Sequence, residues 1–181
     1  MSPAFSASAL LMLFALVSCG DNAKPRPENL LTSNDYEELD GWAPDGSLPY
    51  LTKEKAHSGV YSARVNSTTE YGGGFTNSLG KLSNTRVTKL RVHGWVWLPS
   101  KDANATLVTQ LTEPATNKTI FYDGLKLVAA SGNKFNQWAE VDKTMVLPAN
   151  ATYATLLKLY LWRDQSAQPV YLDDLQVERA E

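Results

Sequence analysis

Residues 156–162, Leu-Leu-Lys-Leu-Tyr-Leu-Trp, alternate leucine with a polar or aromatic residue. In an extended strand, successive side chains point to opposite faces, so Leu157, Leu159 and Leu161 share one face and Lys158, Tyr160 and Trp162 the other. A strand of this kind must be covered by a second layer on its leucine side and leave its mixed side outward. The stretch from Leu90 to Leu98 repeats the pattern. Leu90, Val92, Val96 and Leu98 are expected inside, with Gly94 allowing the opposing sheet to come close. Arg91, His93, Trp95 and Trp97 then point outward, because an Arg turned inward without a partner costs more than the two indoles would gain. Further short alternating or β-branched runs are separated by clusters of Gly, Pro, Asn and Asp. They predict strands near 49–53, 61–66, 74–79, 88–98, 105–112, 119–122, 138–147, 153–163 and 170–178. No segment carries an apolar stripe of helical period over three turns. The expected fold is all-β, a β-sandwich in a single domain.

At 181 residues the chain suffices for one domain with a substantial core. Its 17 basic and 19 acidic residues include no basic cluster, which argues against nucleic acid as a partner. The one long apolar run, Ala4 to Val17, is shorter than the ~20 residues needed to span a bilayer as a helix and reads as a secretory signal core. It ends in Leu16-Val17-Ser18-Cys19, similar to the lipobox of bacterial lipoproteins, in which the cysteine is lipidated. That use accounts for the single cysteine of the chain. The segment before the apolar run, Met1 to Ser6, departs from the usual pattern in having no Lys or Arg. Gly20, where an Asp would signal inner-membrane retention, points to the outer membrane or cell surface, and to secretion if Cys19 is not lipidated. The resulting organisation is a signal peptide over 1–18, a lipidated Cys19 with a flexible tether over 19–28, a β-sandwich over 29–178 and a tail over 179–181. The tether, Gly20 to Glu28, has two prolines and no apolar period.

Several stretches in order resemble carbohydrate-binding modules of the CBM4/9 type. Asn29-Leu30-Leu31, Asn34-Asp35-Tyr36-Glu37 and Gly41-Trp42 are similar to the opening strand and its tryptophan. His57-Ser58-Gly59-Val60-Tyr61-Ser62 resembles the Ser-Gly-x-x-Ser strand, and Leu90 to Leu98 the long central strand. Trp138 resembles the Trp before a strand ending at Pro148, and Tyr171-Leu172-Asp173-Asp174-Leu175 the closing strand. The resemblance implies a jelly roll of the galactose-binding-like class, and in some relatives a structural calcium. Asp173 and Asp174, with the carbonyl region of Ser58 and an acid such as Glu37, are the oxygen donors that would hold one.

An outward row of aromatic and polar side chains across neighbouring strands suits a sugar, because rings cover pyranose C–H groups and polar tips bond its hydroxyls. Trp95, Trp97, Tyr160 and Trp162 are the expected platforms, flanked by Arg91, His93, Gln110, Tyr122 and Lys158. Trp42 and Trp138 are assigned to structure. Covering ~100 Å² of one indole contributes about 2.5 kcal/mol, so two platforms give weak binding, roughly micromolar to millimolar after the costs of association. Catalysis finds no support: the two histidines are far apart in sequence, no nucleophile–base motif occurs, and adjacent strand residues Asp173 and Asp174 should face opposite ways. The expected function is non-catalytic binding of a poly- or oligosaccharide by a lipid-anchored surface protein. The alternative is a structural or assembly subunit docking another envelope protein through the same face.

Overall fold

The computed structural model describes residues 27–38 and 48–181; Cys19, Trp42, the signal and all but the last two residues of the tether lie outside them. In chain order the elements are β1 (Leu30–Asn34), β2 (Leu51–Thr52), β3 (Ser62–Val65), β4 (Tyr71–Ser78), α1 (Leu79–Leu82), β5 (Lys89–Trp97), β6 (Thr106–Thr112), β7 (Thr119–Lys126), α2 (Leu127–Ala130), β8 (Trp138–Val146), β9 (Leu156–Trp162) and β10 (Val170–Arg179). They form two antiparallel sheets. One has six strands in the order β2-β3-β10-β5-β8, with β1 on the second half of β10; the other has four, β4-β9-β6-β7. The single domain is thus an all-β sandwich, as the alternation requires.

The inner faces meet over the residues that the alternation selects. Leu157, Leu159 and Leu161 of β9 are fully buried, against Leu107 and Leu111 of β6 and, from the other sheet, Leu90, Val92, Val96 and Leu172. Where β7 and β8 form the rims of their sheets, Lys143 Nζ donates to Asp123 Oδ1 at 2.6 Å and ties the two layers together.

Four local expectations change. β4 begins at Tyr71 and runs through the triple glycine, with a bulge between Gly72 and Phe75, where sequence composition suggested a strand only from residue 74. β7 continues past Tyr122 to Lys126, because pairing with β6 holds the chain extended through Gly124. Gly94 approaches its neighbour β10 and not the opposing sheet: a Cβ there would lie 3.2 Å from the Asp173 carbonyl oxygen and 3.3 Å from the Leu175 Cα. The cause is a bulge in β10 between Asp173 and Gln176, at which Asp174 adopts φ 47°. That bulge also breaks the alternation that was to send Asp173 and Asp174 to opposite faces. Both carboxylates reach the same loop.

Candidate functional site

The residues expected to share one surface fall on two opposite ones. Arg91, His93, Trp95 and Trp97 stand on the outer face of the six-stranded sheet, and Gln110, Tyr122, Lys158, Tyr160 and Trp162 on the outer face of the four-stranded sheet. All nine point away from the core, but no single ligand platform contains them.

On the six-stranded sheet the indoles are roofed by residues 53–61. The His57 ring stacks on Trp95 with centroids 4.0 Å apart and planes 11° apart. Lys55 Nζ sits 4.2 Å from the Trp97 ring centroid, and Trp138 meets Trp97 edge-on at 6.0 Å. Tyr171, beside Trp97, donates to Glu54 Oε2 at 2.7 Å. Arg91 donates to Asp142 Oδ2 at 2.6 Å and to Glu178 Oε2 at 3.2 Å, so its cation is already neutralised, and His93 lies 3.8 Å from Glu178. Trp95 and Trp97 thus point outward but are partly covered by a long-range loop contact, His57 over one and Lys55 over the other.

Carboxylates fasten that roof. Asp173 Oδ2 accepts from the backbone N–H of His57 at 2.6 Å and of Ser58 at 3.3 Å. Asp174 accepts from Ser58 Oγ at 2.6 Å and contacts His57 Nδ1 at 2.5 Å. Glu37 Oε1 accepts from the N–H groups of Val60 and Tyr61, each at 2.6 Å. Burial pushes the Asp173 carboxyl up to about 6. The four residues named for calcium thus converge on one corner. Asp35, Glu37, Glu38 and Asp174 line an adjoining cleft of about 500 Å³. The donor set is all oxygen, the kind calcium takes. As arranged, however, these oxygens serve N–H and O–H groups, and among the described residues no three His, Cys, Asp or Glu side chains are grouped to hold a metal.

The outer face of the four-stranded sheet is open. Its register sets three rows across the strands: Tyr71, Trp162, Thr106 and Lys126; then Tyr160, Val108 and Gly124; then Thr76, Lys158, Gln110 and Tyr122. Tyr71 and Tyr122 are 57% and 53% exposed and flank the more enclosed Tyr160, which meets Tyr71 edge-on at 5.8 Å. The floor between them is low. Val108 is fully buried though outside the core cluster, and a Cβ on Gly124 would come 3.0 Å from Thr106 Cγ2, so the glycine lets that methyl lie close on the neighbouring strand. Burial raises the Tyr160 phenol, with Tyr122 and Tyr71 adding, so it stays neutral; its hydroxyl donates to Gln110 Oε1 at 3.4 Å. Gln110 in turn donates to Thr119 Oγ1 at 2.6 Å. Trp162 is held at the end of the rows by its Nε1–H, which donates to Glu70 Oε1 at 2.8 Å, and Arg163 holds Glu70 Oε2 at 2.7 Å. These two donors, Arg163 first, keep the Glu70 carboxyl below its ordinary range.

Tyr71 and Gly124 were not singled out from sequence. Tyr71 precedes a triple glycine that reads as a loop, and Gly124 follows the residue at which the strand was expected to stop. For Gly124 the signal was the alternation of Tyr122, Gly124 and Lys126 with Asp123 and Leu125, whereas nothing local marked Tyr71.

With this geometry established, the fold can be compared with solved structures. The xylan-binding CBM22-1 domain of Paenibacillus barcinonensis Xyn10C superposes with a TM-score of 0.52 and 21% identity over 85% of this chain and 97% of that one. A family 16 carbohydrate-binding module gives 0.53 and 18% over 82% and 99%. The fold is the jelly roll of these modules. The CBM22-1–GH10 portion of Clostridium thermocellum Xyn10B, solved with xylohexaose, aligns with a TM-score of 0.51 and 14% identity over 85% of this chain and 29% of that chain. No family model matches the chain, and no curated protein matches it by sequence. What the jelly roll shares with these modules at such identities is its architecture.

Proposed function

We propose that this jelly roll is a non-catalytic carbohydrate-binding module that holds a glycan on the outer face of its four-stranded sheet. The observation that carries the reading is the set of tyrosine rings at Tyr71, Tyr160 and Tyr122, standing over a low floor with amide, hydroxyl and ammonium groups between them. Rings offer apolar area to the C–H side of a pyranose, and Gln110, Lys158 and the phenol hydroxyls meet its hydroxyl groups. Support also comes from the solved modules of the same fold, one described as xylan-binding and another held with xylohexaose. Affinity electrophoresis of the purified domain through gels containing xylan or other polysaccharides tests the reading. Retardation is expected, reduced more than tenfold in apparent affinity by Tyr160→Ala, since ~100 Å² of lost ring contact is about 2.5 kcal/mol. Absence of retardation in every gel, together with a co-purifying protein, would support docking to another envelope protein.

Two companion proposals have separate tests. Lipidation at Cys19 would anchor the module to the membrane surface; labelling with radioactive palmitate is expected in the native chain and absent in Cys19→Ala. A calcium ion at Glu37, Ser58, Asp173 and Asp174 would use carboxylate lone pairs not engaged by N–H donors; chelation is then expected to lower Tm, and an unchanged melt removes the ion.

A further inference from the structure

Three of the cations around the open face are paired. Lys126 pairs with Asp164, Arg163 with Glu70, and Lys143 with Asp123 at the rim. Lys158 stands half-buried on the central strand β9 between the uncharged Thr76 of β4 and Gln110 of β6. Its Nζ donates to Asn117 Oδ1 at 3.3 Å, and among the described residues it forms no ion pair. None of the three rows across this face contains a carboxylate. An ammonium with no counter-ion, on a face without carboxylates, can pair with an incoming anion, and the partly buried stem of Lys158 keeps it near the sheet. Lys158 and Tyr160 are two residues apart along the strand, about 6.8 Å. A sugar ring resting on Tyr160 therefore brings its substituents within reach of the ammonium.

We propose that the glycan taken by this face is anionic, carrying uronic acid carboxylates or sulfate esters, and that Lys158 is the contact for the negative group. The inference rests on the face being the glycan surface, and it goes beyond the xylan and xylohexaose named for two of the solved modules. A charge-assisted bond of this type also makes the interaction sensitive to salt.

The test uses two matched pairs of polymers: a polyuronide with its carboxyl-reduced form, and a sulfated galactan with its desulfated form. In affinity electrophoresis the wild-type domain is expected to favour the charged member of at least one pair by about tenfold, a difference of about 1.4 kcal/mol. Lys158→Gln is expected to bring that ratio close to one, and Lys158→Arg to restore most of it. Lys53→Gln, an exposed cation placed over Tyr61 beside the other sheet, should leave the ratio unchanged. Raising the salt to about 0.5 M should shrink the wild-type ratio. Equal retention within both pairs overturns the anionic ligand, and a preference that survives Lys158→Gln overturns Lys158 as its contact; either leaves the glycan face intact. Retention of none of the four polymers overturns the anionic ligand, and the glycan face falls with it only if xylan gels give no retardation either.

Discussion

Trp95 and Tyr160 both stand outward from a strand, and the difference between them is a contact from far along the chain. Trp95 lies under the His57 ring, whereas Tyr160 is bordered by the exposed Tyr71 and Tyr122. Trp95→Ala is therefore expected to lower stability by about 2–3 kcal/mol, a Tm drop of roughly 5–10 °C, while leaving glycan retention in place. Differential scanning calorimetry and affinity gels on the same sample check both halves. Asp173 makes a pH-dependent contribution. Burial raises its folded-state pKa from 3.8 to about 6, so the folded protein binds this proton more tightly than the unfolded chain. Stability from this group is complete below pH 3.8 and is lost as pH rises through about 6. In chelator, the Tm of Asp173→Asn minus that of wild type is expected to increase between pH 4 and pH 6 and level off above; a flat difference would contradict it. Side-chain direction was legible at both aromatic positions from alternation alone. Coverage was not, because it depends on His57, which is 38 positions from Trp95 and carries no local sign of where it lands.

At the scale of elements, residues 53–61 act as a strap, fastened by Glu37 at one end of the chain and by Asp173 and Asp174 near the other. Asp174→Ala removes the acceptors of Ser58 Oγ and His57 Nδ1. It is expected to cost about 1–2 kcal/mol and to raise hydrogen exchange of the 53–61 amides, with no change across the four-stranded sheet. The strand elements themselves could be read from sequence wherever two apolar faces differ, as in β5, β8 and β9. β4 and β7 were cut short because glycine is a poor strand former by composition, and only pairing with β9 and β6 keeps Gly72 and Gly124 extended. The bulge at Asp174 was equally hidden, since an aspartate in a left-handed conformation leaves no mark in an alternating pattern.

At the scale of the molecule, two layers share one core and are joined at a rim by Lys143 and Asp123. Both side chains are partly exposed, so Asp123→Asn is expected to change stability by less than about 1 kcal/mol in chemical denaturation, with no change in m-value. The fold class was recoverable because its cause, leucine on every second position, is local. Which outward residues become neighbours was not legible, because strand order decides it, and β5 and β9 went to different layers.

One consequence concerns presentation. β1 and the final strand β10 lie side by side in the six-stranded layer, where the Arg179 N–H donates to the Asn29 carbonyl at 2.7 Å. Residues 29 and 179 are thus neighbours in the layer opposite the tyrosine rows, so a fusion or tag joined at either end is kept off the open sheet face.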